Sequence, residues 1–190
     1  VEAIHAADID RHCAALAMHW ERAGEPARGA SWRLRAARRA FASAANQDVV
    51  AQLRAIEQAG GHEMLLPHAP DREEFARLRG LAAEELSDFA EADHWLRRCA
   101  TLNGIRVRTT PGELIRGILA EAGTQALLRA GLLGVHRRPD RAARAAISSV
   151  LHSRFSEHGY FQGDPLRLLH GQLVALNQAE RAPVPRELAT

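Results

Sequence analysis

The chain contains 190 residues, enough for one sizeable core or one continuous helical array, and 37 of them are alanine, which favours helices and close helix contact. All 25 basic residues are arginine, which excludes sites that need a lysine, such as a P-loop for nucleoside triphosphates or a Schiff base. The formal net charge of +2 is too small for an electrostatic case for nucleic acid or an acidic membrane. The composition therefore predicts an all-α protein.

Prolines mark the boundaries of the predicted helices. All eight fall at the edges of helical patterns, as expected because proline fits the first helical turn and breaks a helix interior. With these boundaries the sequence predicts about eight antiparallel helices, at residues 7–23, 26–44, 47–59, 71–86, 89–102, 111–132, 139–158 and 165–181. We expect hairpins near 7–44, 71–102 and 139–181, within a single helical-repeat domain that spans 1–190.

Three short phrases predict the turns between paired helices. Each ends one helical run and begins another: Gly24-Glu25-Pro26, Ser87-Asp88-Phe89-Ala90-Glu91-Ala92 and Gly163-Asp164-Pro165. A small residue followed by an N-cap is what two antiparallel helices need to turn tightly. Capping boxes, in which an N-cap oxygen and a later carboxylate satisfy backbone N–H groups reciprocally, are predicted for Asp71 with Glu74, Asp88 with Glu91 and Thr110 with Glu113.

Apolar side chains recur with helical spacing and predict which faces are buried. In the fourth predicted helix the shared face comprises Phe75, Leu78, Ala82 and Leu86, and in the fifth it comprises Phe89, Ala92, Leu96 and Cys99. The sixth, at 111–132, is the most apolar, so we expect it at the centre of its layer. Residues 105–108 alternate apolar and arginine, a pattern that a short strand also shows, although no partner strand is evident.

Residues 73–106 resemble a tetratricopeptide repeat. The matching positions are the small residue of the first helix, the turn, and the small residue of the second helix: Gly80, Asp88 with Phe89, and Ala92. Small residues at these positions let two helix axes approach closely, while the aromatic ring covers the turn. The pattern is broken at Arg79 and Ala83, where larger apolar or aromatic residues are usual. The resemblance implies a tetratricopeptide-like α-solenoid.

A wider resemblance covers most of the chain. Its carriers are residues 16–26 (LAMHWERAGEP), 88–92 (DFAEA), 160–167 (YFQGDPLR) and 176–181 (LNQAER). They resemble the helical-repeat region that follows the ATPase module in large bacterial signalling proteins, especially those with a class III adenylate or guanylate cyclase domain. The resemblance implies a regulatory scaffold from such a parent, although neither cyclase nor ATPase residues are present. A transcription regulator with the same ATPase and repeats but a helix-turn-helix domain is the alternative parent.

Cysteine usage and the chain ends bear on the setting of the protein. Cys13 and Cys99 each lie in a helical apolar pattern, which favours buried free thiols and a reducing cytoplasm over a disulfide or metal site. No apolar run approaches the roughly 20 residues needed to span a bilayer. Val1 starts within a helical pattern and residues 183–188 resemble the start of another helix. We therefore expect a fragment of a larger protein, whose last hairpin keeps an apolar flank that favours a homodimer.

Histidines are the main candidates for metal chemistry. His5, His12 and His19 fall on one helix face, but seven residues correspond to roughly 10 Å of rise, too far to share one ion. The zinc-protease motif that begins at His62 fails because Leu66 stands where the second histidine belongs. The sequence therefore predicts no catalytic residue, no cofactor site and no metal site.

Arginines with one tryptophan form the candidate interaction surface. The second predicted helix is strongly basic, and a second arginine cluster precedes the seventh. The residues singled out are Arg28, Trp32, Arg35, Arg39, Arg137 and Arg138. The plainer interpretation is a solvated face, whereas the sharper one is a docking surface for an acidic partner or a neighbouring domain.

These observations predict a non-catalytic protein-interaction or regulatory scaffold in the cytoplasm. Its expected partners are other domains of the parent protein or a separate protein, with no nucleic acid and no membrane. The alternative is a repeat domain that holds a small effector between its helices and so sets the activity of an ATPase-type transcription regulator. A metal hydrolase built from the histidines is a third hypothesis, which predicts stoichiometric zinc.

Overall fold

A computed structural model describes residues 12–134 and 138–182, and within them the protein is all-helical. These residues contain nine helices and no strand: α1 Cys13–Arg22, α2 Pro26–Ala42, α3 Asn46–Ala59, α4 His62–Leu65, α5 Ala69–Glu85, α6 Phe89–Leu102, α7 Pro111–Arg129, α8 Pro139–Phe161 and α9 Pro165–Arg181. The all-α class is confirmed. The helix beyond the predicted eight is the single turn α4, while the predicted start at residue 7 and the segment 183–188 lie outside the described residues.

The chain divides into two compact units, Val1–Leu102 and Asn103–Thr190. In unit 1, α1 packs on α2, α2 on α3, α3 on α5 and α5 on α6. In unit 2, α9 packs against both α8 and α7. Residues 105–109 belong to no helix or strand in the part of the chain that the structure describes, so the alternation there does not make a strand.

The core of unit 1 is an apolar cluster shared by α2, α3, α5 and the α4 segment. Its largest fully buried side chains include Leu34, Leu53, Ile56 and Phe75. Burying one such side chain contributes about 1.5–3 kcal/mol. The predicted stripes on α5 and α6 are buried except at their turn ends, where Leu86 is exposed and Phe89 half-buried, because both residues lie at the junction of the two helices.

The single turn α4 brings an imidazole into this core. The His62 ring stacks on Phe75 with centroids 4.6 Å apart, and Trp95 contacts both rings edge-on at 5.3 Å. Its Nδ1 lies 2.5 Å from Glu57 Oε1. His62 is therefore part of an aromatic cluster and is held by a carboxylate.

Arg79 explains one departure from the repeat pattern. Its side chain is buried, its Nη1 donates to the Val50 carbonyl of α3 at 2.9 Å, and its other terminal nitrogen pairs with Glu91 of α6. Burial lowers the pKa of Arg79, and the Glu91 carboxylate opposes that shift. A guanidinium with two acceptors thus takes the place of a large apolar side chain.

Glycines allow the closest helix contacts. A Cβ on Gly80 would lie 2.8 Å from Leu96 Cγ, which confirms the steric role predicted for Gly80 opposite α6. In the α8–α9 hairpin, a Cβ on Gly159 would lie 2.8 Å from the Leu168 nitrogen, and one on Gly171 would lie 2.7 Å from the His152 carbonyl oxygen. The helices of these pairs approach so closely that only hydrogen fits at those positions.

Serine hydroxyls add hydrogen bonds between α8 and α9. Ser156 Oγ donates to the Leu168 carbonyl and Ser149 Oγ to the Ala175 carbonyl, each at 2.9 Å. Such bonds form only where backbones are close, since the serine side chain is short. The hairpin is predicted from the sequence, whereas these two serine hydrogen bonds are not.

The expectation that the most apolar helix is central is wrong. α7 buries Leu114 and Gly117, whereas Ile115, Leu119 and Leu127 are 49%, 68% and 43% exposed. The reason is that α7 packs chiefly against α9 within its unit, so its other faces are uncovered.

Four helix connections share one turn geometry. Their central residues have left-handed backbones: Gly24 (φ 79°), Ala44 (φ 56°), Ser87 (φ 62°) and Gly163 (φ 68°). At each turn the next residue donates its N–H to the carbonyl five positions earlier, at 2.8–2.9 Å. Pro26 and Pro165 then occupy the first positions of α2 and α9. The three predicted turns are confirmed, and the Ala44 turn is an unpredicted fourth.

Side-chain caps complete several helix starts. Thr110 and Glu113 form the predicted capping box. Asp88 Oδ1 accepts from the Glu91 nitrogen at 3.1 Å, as predicted for its half of a box. The Asp164 carboxylate accepts two backbone N–H groups in the first turn of α9, each 3.1 Å away.

The capping box predicted for Asp71 with Glu74 is wrong. α5 begins at Ala69, with His68 at the N-cap position, so Asp71 lies inside the first turn. Both carboxylates instead face Arg38 of α2. The start at Ala69 places Pro70 in the second helical position, which proline tolerates because it lies in the first turn.

The left-handed turn residues predict opposite effects of two substitutions. Ala44→Gly is expected to stabilise the protein by about 0.5–1 kcal/mol, because glycine adopts a positive φ without strain. Gly24→Ala is expected to destabilise it by about 1 kcal/mol, since a Cβ there meets no atom within 4 Å and only the backbone cost remains. Urea denaturation of both variants measures this; changes of the same sign would contradict it.

Candidate functional site

Four of the predicted surface residues share one face of α2. Arg28, Trp32, Arg35 and Arg39 follow each other at intervals of four, three and four residues, and we call them the α2 stripe. The three arginines are exposed and Trp32 is half-buried. The Arg35 guanidinium lies 5.3 Å from the Trp32 ring centroid, within the range of a cation–π contact.

Other arginines of α2 have structural partners. Arg33 donates to both carboxylate oxygens of Glu21, at 2.6 and 2.8 Å, and to Gln52 at 3.0 Å. Arg38 pairs with Glu74, and this hydrogen bond raises the pKa of Arg38. These contacts tie α2 to its neighbours.

The second predicted arginine cluster lies in unit 2. Arg138 is exposed at the N-cap position of α8, and Arg137 lies outside the described residues. The structure therefore gathers the four α2 residues on one helix face, while Arg138 belongs to a different unit.

Unit 2 contains a cavity of about 330 Å³, which we call the arginine cavity. The segment after α6, together with α7, α8 and α9, provides its walls. Its lining is Gly104, Ile105, Arg106, Arg108, Glu121, Arg141, Arg144, Ala145, Ser148, His152, Val174 and Gln178. Ligand-binding cavities typically measure about 300–1,000 Å³, so this one has room for a small molecule.

Positive charge dominates the arginine cavity. Four guanidinium groups line it against a single carboxylate, that of Glu121. Glu121 Oε2 accepts from Nδ2 of the fully buried Asn177 at 2.8 Å. Within the part of the chain that the structure describes, Arg106 pairs with Glu113 at 3.0 Å, whereas Arg141 and Arg144 form no ion pair.

Two buried histidines lie next to these arginines. Nδ1 of His152 donates to the Ser148 carbonyl at 2.9 Å, and burial lowers the pKa of His152. The His170 ring lies 6.0 Å from it, and His170 Nε2 accepts from Arg108 Nη1 at 3.2 Å. Burial, with smaller effects of His152 and Arg108, lowers the pKa of His170 to about 4. Both imidazoles are therefore neutral at pH 7, so the arginines supply the positive charge.

The arginine cavity was not predicted from the sequence, although two sequence patterns contain several of its lining residues. Arg106 and Arg108 alternate with apolar residues in the segment that follows α6. On α8, Arg141, Ser148 and His152 recur at the spacing of one helix face. Neither pattern indicates the other, because only the folding of unit 2 brings the segment and the helix together.

The remaining sequence predictions concern the cysteines, metal binding and membrane-spanning helices. Cys13 and Cys99 are both buried, as predicted, and neither forms a disulfide within the described residues. Within residues 12–134 and 138–182, no three histidine, cysteine or acidic side chains are grouped as a metal site would require, and His5 lies outside these residues. None of the described helices combines the length and hydropathy needed to cross a bilayer.

Two glycines of α7 provide a matched test of packing beside the cavity. A Cβ on Gly117 would lie 2.6 Å from His170 Cδ2 and 2.9 Å from Arg108 Cδ, so Gly117→Ala is expected to destabilise the protein by about 1–3 kcal/mol. Gly123→Ala is expected to stabilise it by about 0.5–1 kcal/mol, because a Cβ there meets nothing within 4 Å and alanine favours the helix. Equal effects in urea denaturation would disprove the contact.

The lowered pKa of His170 predicts a loss of stability in acid. Between pH 6.5 and about 4 the unfolded chain binds a proton that the folded protein does not, so the free energy of unfolding falls as the pH falls. Denaturation at several pH values measures this slope, and His170→Gln is expected to make it shallower. The NMR signals of the His170 ring should titrate near pH 4; a midpoint near 6.5 would contradict the prediction.

Comparison with known proteins identifies no relative of this chain. No family model matches it, and searches of the curated proteins and of the solved structures each return no match. The α2 stripe and the arginine cavity are therefore the features of the molecule from which a function can be proposed.

Proposed function

We propose that this chain is a non-catalytic interaction module whose α2 stripe docks on an acidic surface. The surface belongs to another domain of the parent protein or to a separate protein partner. In this proposal the antiparallel hairpins form a tetratricopeptide-like solenoid that relays or positions other domains, without binding nucleic acid or membrane.

The α2 stripe is the observation that carries the proposal. Arg28 and Arg35 lie over the rings of Trp20 and Trp32, at 4.7 and 5.3 Å from the centroids. A guanidinium held over an aromatic ring presents its N–H groups outward with less loss of side-chain freedom on binding. Arginine and tryptophan are also the residue types most often found at the energetic centres of protein interfaces.

The hairpin geometry supports the scaffold part of the proposal. In α5 and α6, Gly80 faces Leu96 across a close contact and Ala92 is fully buried, as a tetratricopeptide-like unit requires. Repeat units of this kind present residues of one helix as an extended binding surface.

The proposed parent is a bacterial signalling ATPase, one linked to an adenylate or guanylate cyclase domain. This part rests on the resemblance of residues 16–26, 88–92, 160–167 and 176–181 to the repeat region of those proteins. The proposed cellular location is the cytoplasm, which the two buried thiols favour. Self-association through the exposed apolar side chains Val150, Leu169 and Leu176 of the α8–α9 hairpin is part of the same proposal.

Charge removal on the α2 stripe tests the docking role. Titration with a glutamate-rich helical peptide, followed by tryptophan fluorescence at low salt, is expected to show binding that Arg35→Gln with Arg39→Gln weakens about fivefold to tenfold. The matched control is Arg77→Gln with Arg98→Gln, which removes the same charge from α5 and α6 of the same unit. Equal loss in both double variants would contradict docking at the stripe.

Activity measurements test the non-catalytic part separately. The purified chain is expected to neither hydrolyse nucleoside triphosphates nor cyclise them. Turnover that survives repeated purification would overturn the proposal, and so would stoichiometric zinc. Analytical ultracentrifugation at high protein concentration is expected to show a dimer, and a strict monomer would remove self-association from it.

A further inference from the structure

We propose that the arginine cavity of unit 2 binds a small molecule that carries a phosphate group. The inference does not depend on the α2 stripe, which lies in the other unit. It rests on the four arginines that line the cavity, on the place of two of them in α8, and on the apolar residues of the same lining.

The position of the arginines on α8 favours an anionic ligand. Arg141 and Arg144 lie in the first two turns of α8, and Arg138 occupies its N-cap position. The amino end of a helix carries a partial positive charge, so cations there are unfavourable unless an anion is close. Asp140 is the one acidic residue in this first turn. A bound anion would offset both the helix dipole and the guanidinium charges.

The number of guanidinium groups favours phosphate over carboxylate. Arg141 and Arg144 belong to α8, and Arg106 and Arg108 come from the segment after α6 that also lines the cavity. A phosphate monoester has three terminal oxygens and close to two negative charges, so it accepts hydrogen bonds from several planar guanidinium forks at once. A single carboxylate has only two oxygens to share.

The apolar residues that line the cavity favour an organic phosphate over the inorganic ion. Buried Ile105, Ala145 and Val174 contribute apolar surface, and the His152 imidazole beside them is neutral at pH 7. These apolar residues offer contacts to the carbon skeleton of a ligand, while the arginines bind its charged end. The volume of about 330 Å³ has room for a small molecule of this kind.

Calorimetry with three probes at constant ionic strength tests the proposal. The probes are phenyl phosphate, benzoate and inorganic phosphate, each exchanged against chloride so that general screening of exposed arginines is unchanged. Phenyl phosphate is expected to bind at least tenfold more tightly than benzoate, which has the same ring, and more tightly than inorganic phosphate. No binding of phenyl phosphate, or equal binding of benzoate, would overturn the proposal.

Variants locate the site. Arg144→Gln and Arg141→Gln are each expected to weaken phenyl phosphate binding about tenfold, because each removes a charged donor. Arg154→Gln removes the same charge from α8 away from the cavity and is expected to change affinity less than twofold. Glu121→Gln keeps an acceptor for Asn177 and removes the one carboxylate of the lining, so binding should become tighter. Equal weakening by Arg144→Gln and Arg154→Gln, or weaker binding by Glu121→Gln, would overturn the assignment. Circular dichroism shows whether each variant is folded.

Discussion

Close approach of helix backbones at small residues is the constraint on which this structure depends. Gly80 in unit 1 and Gly159 and Gly171 in unit 2 lie where a methyl group would overlap a neighbouring helix. At this separation, short side chains reach across to backbone carbonyls, as Ser149 and Ser156 do. The high alanine content serves this geometry as much as it serves helix propensity.

Local signals were sufficient to predict most of the fold. Prolines and acidic caps act within one turn, so the boundaries of the helices and the turns at Gly24, Ser87 and Gly163 could be predicted from neighbouring residues. The Ala44 turn could not, because alanine rarely adopts the left-handed backbone that it has there. The exposure of α7 was also unpredictable, since its composition is apolar and only the arrangement of unit 2 decides which faces are covered.

The candidate sites differ in the same way. The α2 stripe is a property of one helix, so its spacing predicts it. The arginine cavity is lined by residues more than 30 positions apart in the sequence, such as Arg106 and Arg141. A periodic sequence pattern cannot predict that such distant residues lie close together in the fold. Both sites are formed by arginines. Arginines with carboxylate partners, such as Arg33 and Arg38, hold helices together. By contrast, Arg141 and Arg144 of the cavity form no ion pair within the described residues.

The buried guanidinium of Arg79 has a mechanical consequence. It links the carbonyl of Val50 on α3 to the carboxylate of Glu91 on α6, from its own position on α5. Sliding any one of these three helices along its axis would break a charge-assisted hydrogen bond away from water, which is costly. The α3–α5–α6 layer should therefore transmit a push applied at one end with little internal shear.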